Sequence, residues 1–443
     1  MRISDFRTFL VFSASWAAAA IFAGCSNGSA PSSFAPAGAA PETVTRTAPD
    51  SSGQRSVTHY NVVNLGTFGG TYSNANAINN RGWVTGWAEL SGNKVLHAAL
   101  WQVGHKTDLG TLGGPNSAVN AFDHNNRGVI SGLSDASQTD PYDENWCEDG
   151  NSRICLGFRW RNGVMTPLPT LGGNNGVADD VNNRDQIIGV AETSTQDQRC
   201  QAPQVFDYYA TIWQPNGKVQ ALPPYSGDIV SAALSTNQNG QVVGVSGLCV
   251  FPLNPIHAVL WQNGSAIDLG NLGGSEGNVG NDINNRGQVV GASDLPGDLT
   301  QHAYLWQNGV MTDLGTLPGD ASSFAFGIND KGQIVGQSCD ASYNCRGFIW
   351  QNGSMTDLNL LVPPNSKMSL IYGGDINNSG QIASAVYDVK TGSVVAALLI
   401  PGKKADVTNT GSYAPKITLP ENMRMQLKNH WLFGRPFANL YGR

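Results

Sequence analysis

Cysteines are the side chains of this 443-residue sequence whose spacing most clearly predicts chemistry. Cys25 stands alone near the N-terminus, and six others follow in the middle of the chain: Cys147, Cys155, Cys200, Cys249, Cys339 and Cys345. An even number of cysteines in an exported chain indicates disulfide bonds. We predict Cys147–Cys155 and Cys339–Cys345, which are local, and Cys200–Cys249, which would join neighbouring repeats. Sequence alone leaves other pairings open.

The segment 140–151 is rich in carboxylates. Oxygen ligands of this kind bind Ca²⁺, although the spacing is not that of an EF-hand and acidic loops are commonly only solvated. Ca²⁺ is therefore a weak candidate, and we expect no other cofactor. The carboxylates concerned are Asp140, Asp143, Glu144, Glu148 and Asp149.

Histidines, aspartates and tryptophans recur at equivalent positions of a repeat. A zinc site needs about three or four converging ligands. His97, His257 and His302 belong to three different units, so we expect them to be structural or surface residues. Aspartates before a turn usually accept backbone hydrogen bonds; here these are Asp108, Asp268, Asp313 and Asp357. The regular tryptophans are expected to pack between repeat units rather than to line a sugar site; they are Trp101, Trp160, Trp213, Trp261, Trp306 and Trp350.

Seven copies of one motif, typified by "DINNRGQVVG" at 282–291, position these residues. Its turn residue, glycine in six copies and Asp185 in one, lies at 82, 128, 185, 240, 287, 332 and 380. Each unit contains four predicted strands, A to D, joined by tight A–B and C–D turns such as Asn308-Gly309. Four strands per ~46 residues are typical of a β-propeller blade, and a β-helix, the alternative, has shorter coils without such hairpins. We predict an all-β, seven-bladed propeller of four-stranded antiparallel blades over residues 59–402.

The segment "HYNVVNLG" at 59–66 resembles a D strand without a unit before it, while the seventh unit, ending in "VAALLIPG", lacks a D strand. We predict that the two halves pair and close the ring, which leaves no open edge in that blade. Because strand direction reverses at each hairpin, the A–B and C–D turns share one face. The longer, variable B–C loops lie on the other face, where specificity usually resides.

The motifs His302-Ala303-Tyr304-Leu305-Trp306 and Asp313-Leu314-Gly315-Thr316-Leu317 resemble the signature of the bacterial probable extracellular repeat family, known by the letters HAF. The resemblance spans about residues 60–402. It implies secretion, with residence in the periplasm or at the cell surface, and no particular reaction.

The N-terminus has the features of an export signal. Arg2 and Arg7 precede an uncharged apolar stretch that ends in Phe22-Ala23-Gly24-Cys25. This end resembles a lipoprotein cleavage site, with phenylalanine in place of the usual leucine, so we predict a signal peptide at 1–24 and lipidation of Cys25. Ordinary cleavage with an incidental cysteine is the alternative. Residues 25–58 are predicted to be a flexible linker.

Composition excludes one class of function but does not identify the activity. The net charge of −7 argues against nucleic-acid binding, which needs a basic footprint. We expect a monomeric, membrane-anchored binding module for an extracellular glycan or protein. The alternative is an extracellular lyase or hydrolase with a site in the central funnel, and a scaffold without a small ligand remains open. The basic tail, 403–443, is either a frayed end or a segment docked on the propeller or on anionic glycolipid.

Overall fold

A computed structural model describes residues 56–119, 125–147, 149–250, 254–363, 368–406, 417–421 and 424. Within these ranges, strands β1 to β28 form seven four-stranded antiparallel sheets. The seven-bladed β-propeller predicted from the repeat is therefore confirmed. In each blade strand A is followed outward by strands B, C and D.

The blades follow chain order. Blade 1 contains β2 (Gly69–Ile78), β3 (Val84–Leu90), β4 (Leu96–Gln102) and β5 (His105–Asp108). Blade 2 contains β6 (Gly113–Ala118), β7 (Val129–Thr139), β8 (Arg153–Arg161) and β9 (Val164–Pro167). Blade 3 contains β10 (Gly172–Val181), β11 (Ile187–Gln196), β12 (Phe206–Trp213) and β13 (Val219–Leu222). Blade 4 contains β14 (Val230–Thr236), β15 (Val242–Leu248), β16 (Asn254–Gln262) and β17 (Ser265–Asp268).

Blade 5 contains β18 (Val279–Ile283), β19 (Val289–Asp294), β20 (Gln301–Gln307) and β21 (Val310–Asp313). Blade 6 contains β22 (Ser322–Ile328), β23 (Ile334–Cys339), β24 (Cys345–Gln351) and β25 (Ser354–Asp357), followed by a 3₁₀ turn at Leu358–Leu360. Blade 7 contains β26 (Met368–Ile376), β27 (Ile382–Asp388), β28 (Ser393–Asp406) and β1 (Ser56–Asn64).

Blade 7 takes its outer strand from the other end of the chain. β1 pairs antiparallel with β28 from Asn64↔Ala397 to Ser56↔Asp406. The predicted closure is confirmed, and Tyr60 of β1 is only 3% exposed. The pairing runs beyond the predicted limits, because residues 56–58 and 403–406 belong to these strands rather than to the linker and the tail.

The turns have the backbone conformation that their residues predict. The closing residue of each A–B turn has positive φ, including Asp185 at 58° where the other copies have glycine. In the C–D turn of blade 5, Asn308 and Gly309 have φ of 51° and 83°, which fits the hairpin turn favoured by Asn-Gly. These short turns lie at the same end of the propeller.

The repeated tryptophans pack between blades, as predicted. Trp261, for example, belongs to one apolar cluster with Ile188 of blade 3 and Val242 of blade 4. Its Nε1 donates to Pro223 O at 2.7 Å, so burial leaves its polar atom hydrogen-bonded. Trp101, Trp160, Trp213 and Trp261 are buried, and Trp306 and Trp350 are half-buried.

Candidate functional site

Asparagine side chains surround the propeller axis at the end that carries the A–B turns. There they line an open depression of about 490 Å³. The first asparagine of each turn donates through Nδ2 to the main-chain oxygen of its counterpart in the next blade, as Asn284 does to Asn329 O at 3.0 Å. The same asparagine accepts two N–H groups of its own turn through Oδ1. We call these residues the first amide ring: Asn79, Asn125, Asn182, Asn237, Asn284, Asn329 and Asn377.

The next residue of each turn forms a second amide ring. Its main-chain N–H donates to the side-chain oxygen of its counterpart one blade on, as Asn378 does to Asn80 Oδ1 at 2.8 Å. Glutamine and aspartate occur in this ring because the bond between blades requires only an acceptor oxygen. The members are Asn80, Asn126, Asn183, Gln238, Asn285, Asp330 and Asn378.

The side chains of the two amide rings around the depression are engaged in hydrogen bonds between neighbouring blades. Asp330, the acid among them, accepts from Asn285 Nδ2 at 3.0 Å and from Asn378 Nδ2 at 2.8 Å. Burial acts to raise the pKa of Asp330, but these hydrogen bonds outweigh it and hold the pKa below its usual value. From sequence these residues were predicted only to form turns. An asparagine occupies the first of these positions in all seven copies, and this regularity is the signal that could have revealed the ring.

The disulfide bonds lie at the opposite end, among the B–C loops. They join the cysteines that were paired from sequence. Two of them close single loops, and the third connects the B–C loop of blade 3 to that of blade 4. The bonds are Cys147–Cys155, Cys200–Cys249 and Cys339–Cys345.

The carboxylates of segment 140–151 are drawn into two separate networks. In the first, Asn175 Nδ2 contacts Asp140 Oδ2 at 2.8 Å, Glu144 Oε2 at 3.3 Å and Glu192 Oε2 at 3.2 Å. Glu144 and Glu192 thus share the Asn175 carboxamide and lie close enough for the charge of Glu192 to act on Glu144. Burial, followed by the charge of Glu192, raises the pKa of Glu144 to about 8. This pair therefore holds a proton in the neutral pH range.

The second network surrounds Asp135 and Asp149. Asn151 Nδ2 donates to Asp135 Oδ2 at 2.8 Å and to Asp149 Oδ2 at 2.7 Å. Burial, followed by the neighbouring Asp149, raises the pKa of Asp135 to about 7. Asp135 Oδ2 also accepts the Asn116 N–H at 3.1 Å, whereas Asp135 Oδ1 is buried without a hydrogen-bond partner among the described residues.

Within the described ranges, no three of the carboxylates proposed for Ca²⁺ lie close enough together to hold one ion. Asp143 is exposed, and Glu148 lies outside the described residues. The three potential ligands that do lie close together there are Cys200, Asp207 and Cys249, and both cysteines are disulfide-bonded. This arrangement gives no support to the weak Ca²⁺ candidate.

The repeated histidines form hydrogen bonds with aspartates within their own blades. His97 Nδ1 lies 2.9 Å from the Asp108 carboxylate, and His302 Nδ1 lies 2.9 Å from that of Asp313. His257 pairs instead with Asp228, at 2.8 Å. Each of the three histidines therefore bonds within its own blade, and the three do not form a common site. The aspartates also accept the predicted turn hydrogen bonds, Asp108 from Gly110, Asp268 from Gly270, Asp313 from Gly315 and Asp357 from Asn359.

An apolar cluster occupies the B–C end of the propeller. We use the term B–C face for the solvent-exposed surface of the B–C loops at this end. The cluster includes residues of every blade: Trp87, Ala118, Tyr208, Val245, Ala292, Phe326 and Tyr372. Leu419, from the C-terminal tail, belongs to the same cluster and is 2% exposed. The B–C end thus differs from the amide-lined opposite end.

Comparisons with known proteins identify no family for this chain. No protein-family profile matches the chain, and no curated protein matches it. Among solved structures, the chain is similar to the β-propeller domain of the Trilobed protease from Pyrococcus furiosus, with 8% identity and a TM-score of 0.48 over 77% of this chain and 99% of that one. It is also similar to virginiamycin B lyase from Staphylococcus aureus, with 10% identity and a TM-score of 0.45 over 78% and 100%. A gluconolactonase from Xanthomonas campestris gives 10% identity and a TM-score of 0.35 over 77% and 90%.

The predicted export signal, Cys25 and most of the predicted linker lie outside the described residues. Within the described part of the chain, no helix has the length and apolar character needed to cross a membrane.

Proposed function

We propose that this protein is an exported binding module whose ligands dock on the B–C face. The observation that supports the proposal is the contrast between the two ends. At the A–B end every blade contributes the same two turn positions to rings that hold the fold together. At the B–C end each blade carries a different loop, and disulfide bonds brace several of them. Variable loops on a rigid scaffold are where binding specificity usually resides.

Exposed apolar side chains on the B–C loops suit contact with a partner. Aromatic and aliphatic groups of this kind commonly anchor interfaces. Leu299 is 92% exposed and Tyr142, on another loop, is 41% exposed. A glycan or a protein of the extracellular space fits this surface, because both are bound by aromatic and polar loop residues together.

The experiment compares two double variants of the immobilised chain. Tyr142→Asp with Leu299→Asp alters the B–C face, whereas Val103→Asp with Val310→Asp alters C–D turns at the other end, where the side chains are 100% and 63% exposed. We expect capture of an envelope protein or an arrayed glycan by the wild type, retention by the C–D variant and loss by the B–C variant. Equal capture by both variants would contradict the proposal. Chemical conversion of a captured glycan would favour the enzyme instead.

We further propose that a lipid on Cys25 tethers the module to a membrane. Multiple acyl chains anchor stably, with about 0.8 kcal/mol per buried methylene. Cys25→Ala should abolish incorporation of labelled fatty acid and move the protein from the membrane fraction to the soluble one. Labelling that persists in this variant would dismiss the anchor.

A further inference from the structure

Residues 417–421 of the tail lie against the B–C end of blade 6. The Leu419 side chain is 2% exposed within the apolar cluster, and Ile417 packs against the same cluster. The Leu419 N–H donates to Asn344 Oδ1 at 3.0 Å. Farther along the chain, Arg424 Nη1 donates to Ser342 O at 3.5 Å. The tail therefore makes specific contacts here, which decides against a wholly frayed end.

The receiving surface is the B–C loop of blade 6, residues 340–344, which is held rigid. Cys339 and Cys345 are cross-linked at its base and are also paired in the β-ladder. Asp340 Oδ1 accepts the N–H groups of Ser342 and Asn344, both at 2.9 Å. Asn344 Nδ2 donates to Asp340 Oδ2 at 3.1 Å, which orients its Oδ1 toward the tail. The acceptor for a peptide N–H is thus preorganised by the loop itself.

We infer that this surface is a docking site for an extended apolar peptide of a partner protein, and that residues 417–421 occupy it in the absence of the partner. The inference rests on the proposed function, since it gives the B–C face a class of ligand. The tail is recognised through one main-chain N–H, one buried leucine and a neighbouring isoleucine two residues earlier. A partner segment with an apolar-x-Leu-Pro pattern offers the same groups.

Displacement is physically reasonable because the tail is a tethered ligand. Ten residues, 407–416, separate the end of β28 from the docked segment. A short tether gives an effective concentration in the millimolar range, so even a weak segment fills the site until a tighter partner competes. The tail therefore sets the affinity that a partner must exceed.

The test uses the full chain and a fluorescent peptide of residues 415–426, PKITLPENMRMQ. Leu419→Asp should weaken the tethered occupant, so this variant is expected to bind the peptide saturably and at least about tenfold more tightly than the wild type. Val103→Asp, the same type of change at a fully exposed position on the other end, should behave as the wild type. A peptide with aspartate in place of Leu419 should not bind any of the proteins.

Adding Asn344→Ala to the Leu419→Asp variant should abolish peptide binding, because the N–H acceptor is lost. Thermal melts establish that each variant is folded, and Leu419→Ala replaces the aspartate variant if the latter is not. No binding by any variant, or equal binding of both peptides, overturns the inference. In that case the capture experiment with the Tyr142 and Leu299 variants decides about the proposed function. If those residues are still required for capture of an envelope ligand, the binding function is retained and only the peptide site is rejected.

Discussion

The carboxamide of Asn377 in blade 7 donates to the main-chain oxygen of Asn79 in blade 1, across a distance of 3.0 Å. This bond completes the first amide ring at the axis. At the outer edge of blade 7, β1 completes the sheet by pairing with β28. The ring is thus closed twice, by side chains at its centre and by a strand at its periphery. Each closure can be removed separately.

Asn284→Asp tests the first amide ring. Aspartate keeps the oxygen that accepts from Arg286 and Gln288 but replaces the donor to Asn329 O with a second oxygen. We expect unfolding free energy to fall by about 1–3 kcal/mol, because a buried carbonyl loses its donor. Urea unfolding measures this, and Asn61→Ala on the exposed side of β1 should change stability by less than about 0.5 kcal/mol. A loss no larger than that of the control would mean that the ring is dispensable.

Removal of the closure strand should destabilise the whole propeller. A chain that begins at residue 67 leaves β28 as an unpaired edge, whereas a chain that begins at residue 56 retains all of β1. We expect the first to melt far below the second in a calorimetric scan. Tyr60→Ala is a smaller change than deletion of β1. It should lower the free energy of unfolding by about 3–5 kcal/mol, as truncation of a large buried aromatic side chain does. Identical melting of the two truncated chains would refute the closure.

The sequence was sufficient to predict the parts of the fold that local residues determine. A turn glycine, an Asn-Gly pair or two cysteines a few residues apart act over short distances, and seven copies made each signal visible. The closure followed from counting, since the orphan strand at 59–66 matched the missing strand of the seventh unit. Its partner was therefore unique.

Features that depend on contacts between blades could not be predicted from the sequence. Asn284 meets Asn329 only because the two blades stand in a particular register, and nothing near Asn284 in the chain indicates it. The surroundings of the Glu144 carboxyl group are likewise determined by Asn175 and Glu192, which belong to blade 3. Leu419 lies outside the repeat, so no periodic pattern identified it as a buried residue.

The disulfide bonds should differ in their contribution to stability. Cys200–Cys249 closes a span of 49 residues, whereas Cys339–Cys345 closes one of 6. In the chain-entropy description the longer loop stabilises more, by about 4 kcal/mol against about 2 kcal/mol. Calorimetry of the paired alanine variants, under non-reducing conditions, measures the difference. If removal of the short bond proves more costly, loop rigidity at the blade 6 site outweighs the entropic effect.

The buried pair of Glu144 and Glu192 should make stability depend on pH. Burial, followed by the charge of Glu192, raises the pKa of Glu144 from its ordinary value of 4.5 to about 8. Between these values the native state holds a proton that the unfolded chain releases, so this group's contribution is fully present below pH 4.5 and is lost as the pH rises toward 8.

Glu144→Gln imitates the protonated acid and should remove that dependence. We expect the loss of unfolding free energy between pH 5 and pH 8 to be smaller in the variant by on the order of 1–3 kcal/mol. Urea unfolding at several pH values measures it. Asp143→Asn, on the exposed part of the same loop, controls for the change in net charge. A pH dependence in Glu144→Gln as steep as that of the wild type would show that this carboxyl pair does not hold the proton.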